Sequence, residues 1–145
     1  MPVLVLVEHD RGEPAPHSWS ALTFARDLAS DVEALIIGEA GDDMAERAAA
    51  YGASVVHLAH HDLLSDYGPE SWGETLAQAA RSTGATAVVA AGTDRGNEVV
   101  AQAAARLSQP MAANVTELDP DTWELTRLRW GGSVLERASL GGEVK

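Results

Sequence analysis

Apolar runs alternate with helical spacings along the chain as far as residue 107. The runs at residues 3–7, 32–38, 54–59 and 86–91 show little polar alternation, which is typical of strands covered on both faces of a parallel sheet. Between the runs, apolar residues recur every three or four positions, which predicts amphipathic helices. Strands that alternate with helices form parallel β-α-β units with right-handed crossovers, so the pattern predicts an α/β fold.

Two other patterns follow the last predicted helix. Residues 112–118 predict a fifth strand, and residues 123–128 and 130–140 alternate apolar with polar positions, which predicts an antiparallel pair. We therefore predict a doubly wound parallel sheet with strand order 3-2-1-4-5 and an added C-terminal antiparallel pair. The length fits a single domain that covers residues 1–145.

Polar residues mark where the helices are predicted to begin. Ser18 is in position to cap the first helix, and Asp42 or Asp43 opens the second. Ser71 is followed three residues later by Glu74, which is the capping-box pattern for the third helix. These signals set the expected helix starts.

The stretch at residues 86–107 predicts a buried strand, a short turn and a helix. Gly92 ends the strand, and Thr93 or Asp94 is expected to cap the helix. In a doubly wound sheet, ligands bind beyond the carboxyl ends of such strands, so this turn is a candidate site. The predicted apolar face of the helix consists of Val99, Val100, Ala103, Ala104 and Leu107.

The sequence contains only weak candidates for a nucleotide site. The GxGxxG and P-loop patterns are absent, and the loop after the first strand holds one glycine and two prolines. Thr93, Asp94 and Gly96 remain candidates because N–H groups at a helix N-terminus bind anions. His9 is a candidate because it ends the first strand, beside the fourth strand in the usual order, although a loop hydrogen bond is the alternative role. Asp94 and Glu98 would repel an anion there, so we expect a structural turn and no cofactor-binding residues.

Motifs for catalysis and metal binding are also absent from the sequence. There is no GxSxG elbow and no paired-carboxylate signature, so no catalytic residue is predicted. His60, His61 and Asp62 stand together in a polar stretch, where adjacent histidines lack a fixed geometry. We interpret that stretch as a solvated loop and predict no metal site.

Composition narrows the classes of partner. The chain has 22 acidic and 10 basic residues and a formal net charge of −12, so we expect neither nucleic acid nor an anionic membrane as a partner. Cysteine is absent, which excludes disulfides and thiolate metal sites and favours a cytoplasmic location. No apolar run approaches the roughly 20 residues of a membrane span.

Five residue runs, taken in order, match a known family. They are 5–9 (VLVEH), 92–99 (GTDRGNEV), 103–107 (AAARL), 110–118 (PMAANVTEL) and 126–133 (TRLRWGGS). Together they cover essentially the whole chain, which resembles the N-terminal domain of the electron transfer flavoprotein alpha subunit. No single run is decisive, and the ordered set carries the resemblance.

The resemblance implies a flavodoxin-like or nucleotide-hydrolase-like domain that pairs with a beta subunit. In the family, the complete heterodimer carries electrons from dehydrogenases through FAD, which lies mainly in a C-terminal domain of the alpha subunit. The present sequence reaches residue 145, where the family would run into another strand, so we carry over no flavin ligands. We expect a scaffold or interaction domain, not an enzyme on its own, with no cofactor in the isolated chain.

Two further expectations depend on this interpretation. The partner would be an electron transfer flavoprotein beta-type subunit or a separate flavin-binding domain. The alternative function is a small nucleotide-binding protein of the universal-stress type, which shares the general fold but usually carries a glycine-rich loop after its fourth strand. Gly92 and Gly96 provide only a poor version of that loop.

The C-terminal antiparallel pair is the predicted interface. Its alternation leaves an apolar face that includes Trp130 and Val134, and an unpaired strand edge invites a second chain. Residues 131–133 interrupt this pattern and are expected to form a bulge or a close backbone approach. We predict a homodimer or a partner complex here. The interface candidates are Arg127, Arg129, Trp130, Gly131, Gly132 and Leu135.

Overall fold

The computed structural model describes residues 1–40 and 42–145, and for Asp42 it describes the backbone only. The predicted cap at Asp42 therefore lies outside the described residues. In chain order the elements are β1 (Val3–Leu6), β2 (His9–Asp10), β3 (Glu13–Pro14), α1 (His17–Leu28), β4 (Val32–Ile37), α2 (Asp42–Ala50), β5 (Val55–Ala59), a 3-10 turn (Asp62–Leu64), α3 (Pro69–Thr83), β6 (Ala87–Val89), α4 (Asp94–Leu107), β7 (Val115–Leu118), β8 (Glu124–Arg129) and β9 (Val134–Ser139).

A four-stranded parallel sheet with the spatial order β5-β4-β1-β6 forms the centre of the fold. Val3 of β1 lies opposite Val32 of β4 on one side and opposite Ala87 of β6 on the other. All four residues of β1 are buried, as the continuous apolar run predicts for a central strand. The predicted α/β class is confirmed, and so is the order 3-2-1-4 of the first four predicted strands.

Helices cover both faces of the parallel sheet. Alternate residues of β1 point to opposite faces, so Val5 belongs to one apolar cluster and Leu4 to the other. The first cluster includes Leu22 of α1 and residues of α2, and the second includes Leu76 of α3 and Val99 of α4. The end of the sheet, where the candidate site lies, is therefore supported by one packed apolar cluster on each face.

The prediction that residues 112–118 add a fifth strand to the parallel sheet is wrong. Strand β7 instead pairs with β8 in a three-stranded antiparallel sheet with the order β7-β8-β9. Thr116 and Glu117 are exposed in β7, whereas an added parallel strand would be covered on both faces. The C-terminal unit thus has three strands, and β6 stands at the end of the parallel sheet.

Two helices begin earlier than the capping signals predict. Helix α1 starts at His17, and the buried Ser18 instead accepts a hydrogen bond from the Glu8 N–H at 2.8 Å through its Oγ. Helix α3 starts at Pro69, whose missing N–H suits the first helical position, and Ser71 lies inside it. Among the described residues, no helix is both long and apolar enough to cross a membrane.

Candidate functional site

The carboxyl ends of β1 and β6 lie side by side in the parallel sheet. The helix that follows β1 packs on one face of the sheet, and the helix that follows β6 packs on the other. This is the topological switch point, where doubly wound folds bind their ligands. Glu8 and His9 follow β1 there, and Gly92 and Thr93 follow β6.

A carboxylate of the chain itself lies next to the start of α4 at this switch point and is held there by the residue that caps the helix. Thr93 caps α4, because the Gly96 N–H donates to Thr93 Oγ1 at 3.0 Å. The Thr93 hydroxyl in turn donates to Glu8 Oε1 at 2.5 Å. A carboxylate near a helix N-terminus is favoured by the same helix dipole that would favour a phosphate. Glu8 therefore disfavours a second anion at this point.

Gly96 serves the packing of α4 against the end of β6. Gly96 is buried, and a Cβ atom there would overlap the backbone carbonyl of Ala91 and approach Thr93 Oγ1 at 3.1 Å. The glycine lets the helix start close to the strand that precedes it. Asp94 is exposed in the first turn, where its charge complements the helix dipole.

His9 ties the loop after β1 to the end of β4. Its side chain is buried, its Nε2–H donates to the Ile37 carbonyl at 2.6 Å, and its Nδ1 accepts from the Gly12 N–H at 2.9 Å. Because a carbonyl only accepts, this pairing places the ring proton on Nε2. Both ring nitrogens are used inside the chain, so the arrangement is that of a structural histidine.

An aromatic and cationic cluster, which the sequence analysis missed, lies next to His9. Tyr67 donates to Glu98 Oε2 at 2.7 Å, and burial together with that carboxylate raises the pKa of Tyr67. The Arg95 guanidinium lies 4.3 Å from the centre of the Tyr67 ring, and Trp72 packs edge-on against the same ring. Tyr67, Trp72 and Arg95 line a cavity of about 290 Å³ together with His9. The sequence signals were Arg95 and Glu98, which both lie within the run at residues 92–99.

The polar stretch after β5 forms a local turn. His61 accepts a hydrogen bond from the Leu63 N–H at 3.0 Å through its Nδ1, and this starts the short 3-10 turn. In the part of the chain that the structure describes, no three His, Cys, Asp or Glu side chains are grouped to hold a metal ion. His61 thus contributes to the turn itself.

The hairpin of β8 and β9 ends in an exposed apolar tip. Arg129 pairs with Val134 at the end of the ladder, and the turn between them carries Gly131 and Gly132 with φ of 61° and 88°. The predicted bulge at residues 131–133 is therefore wrong, because these residues form the turn of the hairpin. The apolar tip consists of Trp130, Val134 and Leu135, which are 81%, 42% and 68% exposed.

An ion pair stiffens the hairpin behind its tip. The Arg127 guanidinium donates to Glu136 Oε1 at 2.6 Å across the two strands. This hydrogen bond holds the pKa of Glu136 below its usual range. Among the interface candidates, Arg127 therefore belongs to the polar part of the hairpin behind the tip, whereas Trp130 and Leu135 belong to the apolar tip.

The family model for the electron transfer flavoprotein domain matches residues 3–141. The chain belongs to this family. The match includes both the switch point and the β8–β9 hairpin, so both are parts of the electron transfer flavoprotein domain.

Curated relatives confirm the resemblance to electron transfer flavoprotein alpha subunits. The chain is 31% identical over 143 residues to the protein FixB of Bradyrhizobium diazoefficiens, which covers 92% of the chain and 39% of FixB. It is 27% identical over 143 residues to a probable mitochondrial electron transfer flavoprotein subunit alpha of Caenorhabditis elegans, covering 98% of the chain and 43% of that protein. It is 30% identical over 118 residues to the alpha subunit of Mycobacterium tuberculosis, covering 80% of the chain and 37% of the subunit. The chain thus spans about two fifths of the length of these relatives.

Proposed function

We propose that this electron transfer flavoprotein domain is a scaffold and interaction domain of an alpha-type subunit. It supports electron transfer through FAD only together with partner domains that hold the flavin. The observation that carries the proposal is the family match over residues 3–141, combined with a switch point where the Glu8 carboxylate lies next to the start of α4.

The residues at the switch point do not fit the pyrophosphate of a flavin. A pyrophosphate needs free N–H groups at a helix N-terminus and glycines that let the backbone approach it. Here the Gly96 N–H already donates to Thr93 Oγ1, and the Thr93 hydroxyl donates to the Glu8 carboxylate. The domain's contribution is therefore a folded surface for partners, and the redox chemistry belongs to the flavin-bearing domain.

The isolated chain is expected to remain colourless after incubation with FAD and to give no binding heat with ATP or AMP. The reason is the repulsion between a phosphate and the Glu8 carboxylate at the start of α4. Absorbance after gel filtration checks the flavin, and calorimetry checks ATP and AMP. A stoichiometric yellow complex would overturn the scaffold function, and saturable ATP heat would favour the universal-stress type. In the control Glu8→Gln, an acceptor for Thr93 remains while the charge is lost, so nucleotide heat in this variant alone would identify the carboxylate as the barrier.

The partner surface is proposed to be the tip of the β8–β9 hairpin. Trp130 is 81% exposed, which is a large apolar area to leave in water, and tryptophan is a frequent anchor of protein interfaces. Strand β9 stands at the end of its sheet, so its outer N–H and C=O groups are also open to pairing. A beta-type subunit or a separate flavin-binding domain would cover this surface, and without it two copies would pair about a two-fold axis.

Trp130→Lys is expected to weaken this association by about tenfold or more, because it removes an aromatic anchor and adds a charge. Light scattering across a concentration series measures the dimer, and the melting temperature at dilutions where the chain is monomeric should stay unchanged because the side chain is exposed. Leu63→Lys is the matched control, since Leu63 is 79% exposed on the 3-10 turn instead of the hairpin. A strict monomer at every concentration, or a dimer indifferent to Trp130→Lys, would remove this proposal.

A further inference from the structure

The cavity of about 290 Å³ beside His9 lies at the carboxyl end of the parallel sheet. The buried part of its lining is aromatic, because His9 and Trp72 are both 3% exposed and Tyr67 is half-buried. An aromatic lining without net charge is suited to an uncharged, flat ligand. Two acidic and two basic side chains, whose formal charges cancel, also line the cavity, namely Asp10, Arg11, Asp66 and Arg95.

Trp72 brings a buried hydrogen-bond donor to this cavity that the chain does not use. Its indole N–H is buried and has no hydrogen-bond partner among the described residues. No other buried side-chain nitrogen or oxygen in the described part of the chain lacks a partner. Because buried polar groups in folded proteins are nearly always paired, an unpaired donor indicates an acceptor from outside the chain. An indole N–H only donates, so the ligand must carry an acceptor.

Arg95 supplies further donors that the chain uses only weakly. Its guanidinium lies 4.3 Å from the centre of the Tyr67 ring, and Tyr67 is held in turn by its hydrogen bond to Glu98. Its contacts to the His9 carbonyl and to the Asp10 carboxylate are both 3.5 Å long, whereas N–H···O hydrogen bonds usually measure about 2.7–3.2 Å. Contact with an aromatic face positions a guanidinium and leaves its N–H groups available. A carbonyl oxygen in the cavity would therefore find donors from both α3 and α4.

The exposed part of the lining provides acceptors. Asp10 and Asp66 are exposed, and their carboxylates accept hydrogen bonds and repel anions. The net charge of −12 of the whole chain also disfavours an anionic ligand. A primary amide carries a carbonyl acceptor and N–H donors without a charge, so it complements both the buried donors and the exposed carboxylates.

We propose that this cavity binds a small, uncharged aromatic amide. The aromatic ring of the ligand packs on the aromatic lining, and its carbonyl oxygen accepts hydrogen bonds from the Trp72 indole and the Arg95 guanidinium. The amide N–H groups donate to the exposed carboxylates of Asp10 and Asp66. This inference stands on the cavity alone and depends neither on the electron-transfer function nor on the hairpin tip.

The test uses benzamide as the probe and benzoate as its matched control, because benzoate has the same ring and carries a charged oxygen in place of the amide nitrogen. The four tryptophans of the chain give four indole N–H signals in NMR spectra, and benzamide is expected to shift the Trp72 signal in a saturable way and to leave the Trp130 signal in place. Benzoate should bind at least about tenfold more weakly, because the acidic side chains repel it. Equal binding of both probes, or no saturable shift of the Trp72 signal, would overturn the proposal.

Two matched variants assign the buried donor. Trp72→Phe keeps an aromatic ring and removes the N–H, so benzamide binding, measured from the signals of the ligand, should weaken by about fivefold or more. Trp19→Phe makes the same change at a buried tryptophan outside the cavity and should leave binding unchanged. Equal loss in both variants, or unchanged binding by a folded Trp72→Phe chain, would contradict the assignment and overturn the proposal.

A third variant tests the cavity without altering a buried ring. Arg95 is half-buried, and Arg95→Leu removes the guanidinium donors, so it should also weaken benzamide binding by about fivefold or more. Melting temperatures show whether each variant is folded. If Trp72→Phe does not fold, the result for Arg95→Leu decides, and an unchanged affinity there would overturn the proposal.

Discussion

Replacing Val99 with aspartate is expected to unfold the domain. Val99 is 1% exposed and belongs to the cluster in which α3 and α4 pack on the parallel sheet, with Leu4, Trp72 and Leu76. A buried carboxylate without a partner costs several kcal/mol, about the same as the roughly 5–15 kcal/mol that hold a domain folded. The effect should therefore be loss of the folded chain, not a change in a specific activity.

Circular dichroism during heating and urea unfolding measure this effect. Ala101→Asp is the matched control, because Ala101 is exposed on the same helix. It introduces the same carboxylate without burying it, and the expected cost is below about 1 kcal/mol. A soluble Val99→Asp protein with an unchanged melting temperature would mean that this face of α4 is not in the core.

Replacing Gly96 with alanine is expected to destabilise the domain by about 1–3 kcal/mol, the usual cost of overpacking. The added Cβ atom would overlap the Ala91 carbonyl, which is backbone and has little freedom to yield. Moving the helix start away would also loosen the Thr93 cap, which is typically worth about 1 kcal/mol. Alanine is ordinarily the better helix residue by up to about 1 kcal/mol, so a loss of stability would show that the close approach decides the result.

The other glycine of the same turn provides the control for this substitution. At Gly92 the nearest atom to an added Cβ is Asn114 Oδ1 at 3.8 Å, which is ordinary contact, so Gly92→Ala should be near neutral. Urea unfolding of both variants gives the comparison, and each kcal/mol lost should lower the melting temperature by about 2–4 °C for a chain of this size. A Gly96→Ala protein as stable as Gly92→Ala would contradict the described packing.

The two glycines also bear on the search for a nucleotide site. Sequence reasoning named Gly96 as a weak candidate because glycines at a helix start allow a phosphate to approach. In the structure the space beside Gly96 is taken by the Ala91 carbonyl. Distinguishing the two uses of a glycine requires knowing what lies next to it, which is a tertiary property.

The sequence by itself determined the elements of the central sheet and the family. Apolar runs and helical spacing are local properties, and β1, β4, β5 and β6 fall within the predicted runs. The spatial order of these four strands was predicted from the alternation of buried strands with helices, which is typical of a doubly wound sheet. The ordered residue runs also identified the family, because a run of residues is read directly along the chain and does not depend on the fold.

Tertiary structure alone decided where β7 pairs and how the switch point is filled. A strand's neighbour depends on which surfaces it covers, and β7, with its exposed Thr116 and Glu117, joins the antiparallel sheet. Thr93 was predicted as a cap from its local position, but its other partner, Glu8, lies 85 residues away. Local periodicity sets which residues share a face, whereas contacts between distant residues form only when the chain folds, and these contacts determine what the site can bind.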